Sequence, residues 1–201
     1  MRVLIGCEES GVVRRAFRQR GHEAWSCDIL PARDGETCFH IRGDIKEVLK
    51  SSGEWDLIIL HPSCRTLTIA GNSTYGEGMP KHHERLLEID WTVDLWCLAL
   101  TYGKRVALEN PISVIWQYLG APYQYVQPYH FGHPEQKKTG FARHNLPPLR
   151  ATADVKRIAS LLPNLLRERS HFMPPSSTRS RDRSESFLGI ANALADQWGR
   201  T

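Results

Sequence analysis

The sequence predicts an α/β fold with a mostly parallel sheet and helices on both faces. Three observations carry that expectation. The chain opens strand, tight turn, helix, strand between Arg2 and Asp28. Further short apolar runs follow, each ending in a polar or glycine-containing loop. The segments between these runs carry apolar residues at helical spacing.

Each element has its own reason. Arg2 to Cys7 is apolar and β-branched, as a buried strand requires. Val12 to Arg20 is helical and stops at Gly21, which suits a helix C-terminus. His22 to Asp28 alternates and ends in an acid, so it reads as a second strand. A third strand starts at Ile41, a short helix spans Asp44 to Leu49, and Trp55 to Leu60 is a buried strand ended by Pro62. Asn72 to Lys81, rich in Gly, Ser and Pro, reads as a loop. Glu84 to Tyr102 reads as a long amphipathic helix with Leu87, Trp91, Leu95 and Leu98 on its apolar stripe. Arg105 to Leu108 is a fifth strand, and Ile112 to Tyr118 is helical. Tyr125 to Phe131 and Thr139 to Arg143 suit short strands or a hairpin at an antiparallel edge. Ala153 to Arg169 is helical but broken at Pro163, and Ser186 to Trp198 is a last helix. Between them, the Pro/Ser/Arg stretch Met173 to Arg183 carries no periodic pattern. With no repeat and no linker composition, one domain over 1–201 is expected, with 143–185 as a basic, substrate-facing segment.

Composition narrows the function. A chain that is 41% hydrophobic and 24% charged is neither disordered nor fibrous. Its apolar runs, such as Leu57 to Leu60, are too short to cross a bilayer, and Val3, Leu4 and Ile5 open no secretory signal. A cytoplasmic protein without a membrane partner is expected. Cys7, Cys27, Cys38, Cys64 and Cys97 show no zinc or dithiol spacing, so reduced thiols and no metal site are expected. The net charge of +4 concentrates between Arg143 and Arg183, which fits a phosphate-bearing partner or a plain solvated face.

In open α/β sheets, ligands bind at the carboxyl ends of the strands. Here those ends are Cys7-Glu8-Glu9-Ser10-Gly11, Asp28, Gly43-Asp44-Ile45, His61-Pro62-Ser63-Cys64 and Glu109-Asn110-Pro111. Gly6 and Gly11 let backbone approach a ligand. Glu8 and Glu9 argue against a pyrophosphate and for a cofactor with a cationic end. Asp28 is placed to meet ribose hydroxyls and Asp44 to accept from an adenine amine, although turn-forming roles suit both. Cys64 lies outside the apolar strand beside Arg65, a cation that favours the thiolate. A thiolate paired with the carboxyl of Glu109 is what alkylation at C5 of a pyrimidine needs: a nucleophile for C6 and a proton donor for N3. His61, His82, His83, His130, His133, Trp91, Trp96 and Trp198 are read as structural.

Taken in order, these motifs resemble those of the DNA cytosine-5 methyltransferase family, in a short phage- or prophage-like form. Leu4 to Gly11 is similar to its cofactor loop, Arg42-Gly43-Asp44-Ile45 to its Gly-Asp-Ile motif, and Pro62-Ser63-Cys64-Arg65 with Thr68 to Gly71 to its nucleophile loop. Glu109-Asn110-Pro111 is similar to its Glu-Asn-Val motif, Gln136-Lys137-Lys138 to its Gln-x-Arg motif, and Gly189 to Ala193 to its C-terminal Gly-Asn motif. The resemblance implies a Rossmann-like S-adenosylmethionine-dependent fold and transfer of a methyl group to C5 of cytosine in DNA through a covalent Cys64 adduct. It implies catalytic roles for Cys64, Glu109, Asn110 and Lys138. Cofactor contacts fall on Gly6, Cys7, Glu8, Gly11, Asp28, Ile29, Asp44, Ile45, Pro62 and Asn192, and substrate contacts on Arg65, Gln136, Arg179, Arg181 and Arg183. Three departures stand out. Ser63 separates Pro62 from Cys64, Lys138 stands for an arginine, and the stretch between Gln136 and the last helix is too short for a full target-recognition domain. The substrate therefore stays open between DNA and a free deoxycytidine nucleotide, and a non-catalytic DNA-binding module with this fold is the rival outside the enzymes.

Overall fold

The computed structural model describes residues 1–200. Five strands run parallel: β1 (Arg2–Gly6), β2 (Glu23–Asp28), β3 (His40–Arg42), β4 (Leu57–Leu60) and β5 (Val106–Pro111). Two more, β6 (Tyr123–Val126) and β7 (Thr139–His144), close one edge antiparallel. The seven form one sheet in the order β3-β2-β1-β4-β5-β7-β6. The expected mostly parallel, doubly wound sheet with an antiparallel edge is what forms.

Nine helices accompany it among the described residues: α1 (Val12–Arg18), α2 (Ile45–Ser51), α3 (Asn72–Tyr75), α4 (His82–Tyr102), α5 (Lys156–Leu161), α6 (Asn164–Arg167), α7 (Arg169–Phe172), α8 (Arg179–Ser184) and α9 (Leu188–Trp198). Strand side chains alternate, so a strand buried on both faces reads as an unbroken apolar run. Val3, Ile5, Leu57 and Ile59 pack beneath α1 and α9 with Phe17, Leu194 and Trp198. Leu4, Ile58 and Leu60 pack on the opposite face against Leu49 of α2 and Leu95 and Trp96 of α4.

Several local expectations are corrected. Asn72 to Tyr75, read as loop, is one helical turn, because Tyr75 is buried and the Asn72 side chain accepts from the buried Arg85. The patternless Pro/Ser/Arg stretch contains α8, held by Arg33 at 3.2 Å from Asp182 and 3.1 Å from Glu185. Ile112 to Tyr118 supplies only a 3-10 turn, Val114–Gln117, started by the Ser113 hydroxyl accepting from the Ile115 amide. Helix α4 buries Ile89, Thr92, Leu95, Trp96 and Ala99, whereas Leu87 is 67% exposed. Leu95 of the predicted stripe is fully buried and Trp91 and Leu98 pack partly buried against the same core, so only Leu87 leaves it, while the buried Arg85 reaches the backbone of the loop after β4.

One buried charge ties the amino-terminal third together. The Arg14 guanidinium is fully buried and donates to the Ser26 hydroxyl at 2.8 Å and to Asp34, which also accepts from Arg15. Burial pushes the Asp34 carboxyl up, but hydrogen bonds from Arg14, the Glu36 amide and Arg15 outweigh it and hold it below its ordinary value. A depressed carboxylate stabilises the fold above its unfolded value and loses that contribution as pH falls through the folded one. Stability measured by urea denaturation should therefore fall on acidification below about pH 4. Asp34→Asn should flatten that limb and, by stranding a buried guanidinium, cost about 3 kcal/mol at pH 7. An acid limb unchanged in the variant would refute this assignment.

Candidate active site

The strand order reverses between β1 and β4: from β1 the sheet grows through β2 one way and through β4 the other. Crevices open at such a switch point, beyond the carboxyl ends of the strands. A cleft of ≈ 1400 Å³ lies there, and the ends of β1, β2, β4 and β5 and the loop after β3 all contribute to its wall.

The thiol end is built on β4 and β5. Leu60 pairs with Leu108 in parallel register, so the next residues, His61 and Glu109, emerge side by side. His61 Nδ1 lies 3.5 Å from Glu109 Oε2, while His61 Nε2 is buried without a hydrogen-bond partner. Past Pro62 the chain turns at Cys64, whose carbonyl accepts from the Thr68 amide at 3.0 Å. Arg85 clamps this loop from below, donating to the carbonyls of Thr66 at 2.6 Å and Thr68 at 3.1 Å. Asn110 is fully buried and donates to the Pro62 carbonyl at 3.4 Å, so it holds the loop that carries Cys64.

Burial and the neighbouring Glu109 push the Cys64 thiol up, while Lys137 and Arg183 pull it back toward the thiolate. Arg65, the cation expected to do this, lies on the cleft wall with its side chain exposed. Lys138 also lines the cleft, with its ammonium over the Tyr125 ring at 4.5 Å from the centroid. Lys137, part-buried on the cleft wall, is the cation that acts on both Glu109 and Cys64, and it is anchored by donating to the Arg183 carbonyl at 2.5 Å. Burial lowers its ammonium value, and Glu109 and Cys64 oppose that.

The opposite end is acidic. The Cys7 thiol, in left-handed backbone with φ 58°, is pushed strongly up by burial and by Asp28, Cys27, Glu88 and Asp44. Cys27 is pushed up to about 12 by burial and by Asp28 and Asp44. Asp28 is half-buried and itself raised, chiefly by burial. Next to it Ile29 presents its apolar side chain to the cleft, 71% exposed. Ile45, Pro62 and Gln136 also line the cleft, as expected of them.

Other predicted site residues serve the scaffold. Glu8 lines the cleft, but its carboxylate caps α1, accepting from the Val13 amide at 2.7 Å and the Arg14 amide at 3.3 Å. Gly6 lies beneath the cleft floor, where a Cβ would come within 2.8 Å of Ile45 and Leu60. Gly11 sits at the start of α1 with φ 69°, against Asp34 and Arg14 rather than on the wall. Asn192 lies on α9 and accepts from Arg20 at 3.2 Å, away from the cleft. Arg179 donates to the His171 carbonyl at 3.3 Å, also off the wall. Arg181 and Arg183 do line it, on a roof formed by α7 and α8. The roof is fastened by Arg33, which reaches Glu9 at 3.2 Å as well as Asp182 and Glu185.

Sequence reading missed His61, Lys137, Arg33, Glu88 and Trp91. The first two had a signal: His61 immediately precedes the turn at Pro62, and Lys137 is one residue from the lysine that was chosen. Glu88 and Trp91 sit within one turn of each other on α4, whose packing brings both to the cleft wall.

No protein-family model and no curated protein matches the chain. Among solved structures, it superposes on the methyltransferase EhMeth of Entamoeba histolytica with TM-score 0.52 and 13% identity, over 88% of this chain and 63% of that one. A protein encoded in an E. coli prophage and described as a DNA modification methyltransferase gives TM-score 0.49 and 14% identity, over 70% of this chain and 45% of that one. TrmN from Thermus thermophilus gives 0.48 and 17%, over 73% and 44%. The sheet order and the superposition on EhMeth give the chain a Rossmann-like fold, and the chain spans less than two thirds of these neighbours' lengths.

The charge arrangement around Cys64 is open to direct measurement. Alkylation by iodoacetamide, followed by peptide mass mapping at pH 8, should be slower at Cys64 than at the exposed Cys38 and Cys97. Lys137→Met should slow Cys64 further and Glu109→Gln should speed it, each by about two- to tenfold. Equal rates in all three proteins would show that neither group governs the thiol.

Proposed function

We propose that the chain is an S-adenosylmethionine-dependent methyltransferase that modifies C5 of cytosine in DNA through Cys64. One observation carries this reading: a single cleft has an acidic end around Cys7 and a basic end where Cys64, Glu109, Lys137 and Arg183 converge. A cationic methyl donor suits the first end and a phosphate-bearing pyrimidine the second.

The donor end fits its ligand by chemistry. Asp28 is a half-buried acceptor at the end of β2, suited to ribose hydroxyls, and the bare Ile29 side chain offers an apolar surface to a ring. S-adenosylmethionine, when bound, supplies the methyl group as a sulfonium electrophile. At the other end, the Cys64 thiolate bonds to C6 of the ring. The electrons of the C5–C6 double bond make C5 nucleophilic, while Glu109 gives a proton to N3. Lys137 favours the thiolate before attack and balances the Glu109 carboxylate afterwards. Once C5 carries the methyl group, a base takes the C5 proton, the C5–C6 double bond re-forms as Cys64 departs as a thiolate, and the N3 proton returns to Glu109. Asn110 and Arg85 hold the loop that carries the nucleophile.

A second reading, methylation of a free deoxycytidine nucleotide, is favoured by the roof. Arg181 and Arg183 on α8 close over the basic end and suit the phosphate of one nucleotide, flipped from DNA or free.

Mass spectrometry of the protein with S-adenosylmethionine and an oligonucleotide containing 5-fluorocytosine tests the proposal, because fluorine blocks the last elimination. A covalent adduct is expected in the wild type and absent in Cys64→Ala. Glu109→Gln should slow its formation by about 10²- to 10⁴-fold. Adduct only with 5-fluoro-dCMP would move the substrate to the free nucleotide, and none with either would leave a non-catalytic DNA-binding role.

A further inference from the structure

The carboxylates of the cleft are not equally free. Glu8 caps α1, Asp28 accepts from the Leu30 amide, and Asp44 caps α2 by accepting from the Lys46 amide at 2.7 Å. Glu9 and Glu185 hold Arg33, Glu109 faces His61, and Glu168 lies 3.8 Å from Arg167. Glu88 has no hydrogen bond or ion pair among the described residues, although it lines the same cleft. It is half-buried, and burial alone pushes its carboxyl up. A carboxylate withdrawn from water without a partner is costly unless a ligand supplies one.

Its position says which ligand group. Glu88 acts on the Cys7 thiol together with Asp28 and Asp44, whereas the groups acting on Cys64 are Glu109, Lys137 and Arg183. Glu88 therefore belongs to the donor end. One turn along α4, Trp91 also lines the cleft, with Lys46 of α2 5.0 Å from its ring centroid. The two face the cleft on the side where Asp44 and Ile45 begin α2. With Asp28 at the donor's ribose, as in the donor reading above, the purine would lie along this side.

We propose that Glu88, rather than Asp44, accepts the hydrogen bond from the exocyclic amine of the donor's purine and so makes the site selective for adenine. The inference rests on the donor reading above. Asp44 lines the cleft as well, but one of its oxygens is already engaged in starting α2, whereas neither oxygen of Glu88 has a partner among the described residues. Glu88 faces the cleft from the long helix α4, which Arg85 fastens to the nucleophile loop, so the selectivity is tied to the same clamp.

The test measures binding alone, by calorimetry with S-adenosylhomocysteine and with S-inosylhomocysteine, in which a carbonyl replaces the amine. The wild type should prefer the adenine compound by about tenfold or more. Glu88→Leu should lose that preference by weakening only the adenine compound, and Glu88→Gln should fall between. Thermal melting of each variant verifies folding. If Glu88→Leu keeps the preference, the inference fails. If it weakens both compounds equally while leaving 5′-methylthioadenosine unaffected, Glu88 meets the donor's ammonium and the inference also fails. If the wild type binds none of the three, the donor reading itself falls.

Discussion

Parallel pairing of β4 with both β1 and β5 is the constraint on which everything else in this protein depends. It brings the carboxyl ends of three strands to one edge of the sheet, and with them Cys7, His61 and Glu109. The reversal of strand order at β1 and β4 leaves a crevice there that no crossover helix covers. Because β4 is fully buried and only four residues long, its register has little room to slip: a one-residue shift would exchange Ile58 and Leu60 with Ile59 between two differently shaped core layers.

Much of the polar chemistry near the cleft supports that geometry rather than a ligand. Glu8 satisfies the amides opening α1, Arg14 and Asp34 bind α1 to β2 and the loop after it, and Arg85 joins α4 to the nucleophile loop. Each is a buried or part-buried group; the partners of Glu8 are local, whereas those of Arg14 and Arg85 lie 12 to 20 residues away in sequence. The acidic character of the first loop is thereby largely neutralised. The charge presented to a ligand comes instead from Asp28 and Glu88 at one end and from Lys137, Arg181 and Arg183 at the other.

The roof follows a different physical rule. It is made of the short helices α7 and α8, between Arg169 and Ser184, that bury little apolar surface and are held by charge. Arg33 and Lys137 reach it from the body, through side-chain carboxylates and main-chain carbonyls respectively. Short elements fastened this way depend on ionic strength more than the sheet does. Exposed Leu161, Leu165 and Leu166 beside them contribute nothing to the core of the sheet.

The sequence by itself determined the sheet, its parallel character and the strand-end loops that form the cleft. The reason is periodicity: unbroken apolar runs such as Leu57 to Leu60 can only be central strands, and helical spacing between them demands crossovers. It also placed Cys64, Glu109, Asp28 and Ile29 on the cleft, because each directly ends or follows such a run. What it could not decide was which neighbour turns inward. Lys137 faces Glu109 where Lys138 packs on Tyr125, and Trp91 reaches the cleft where Leu87 faces solvent. Those choices depend on the rotation of an element about its axis, set by distant partners such as Arg85. Likewise Asn192 and Glu8 carry residue types that suit a ligand but are held by Arg20 and by the amides of α1. Local pattern specifies where a chain ends a strand; only tertiary packing specifies what each side chain there is left free to touch.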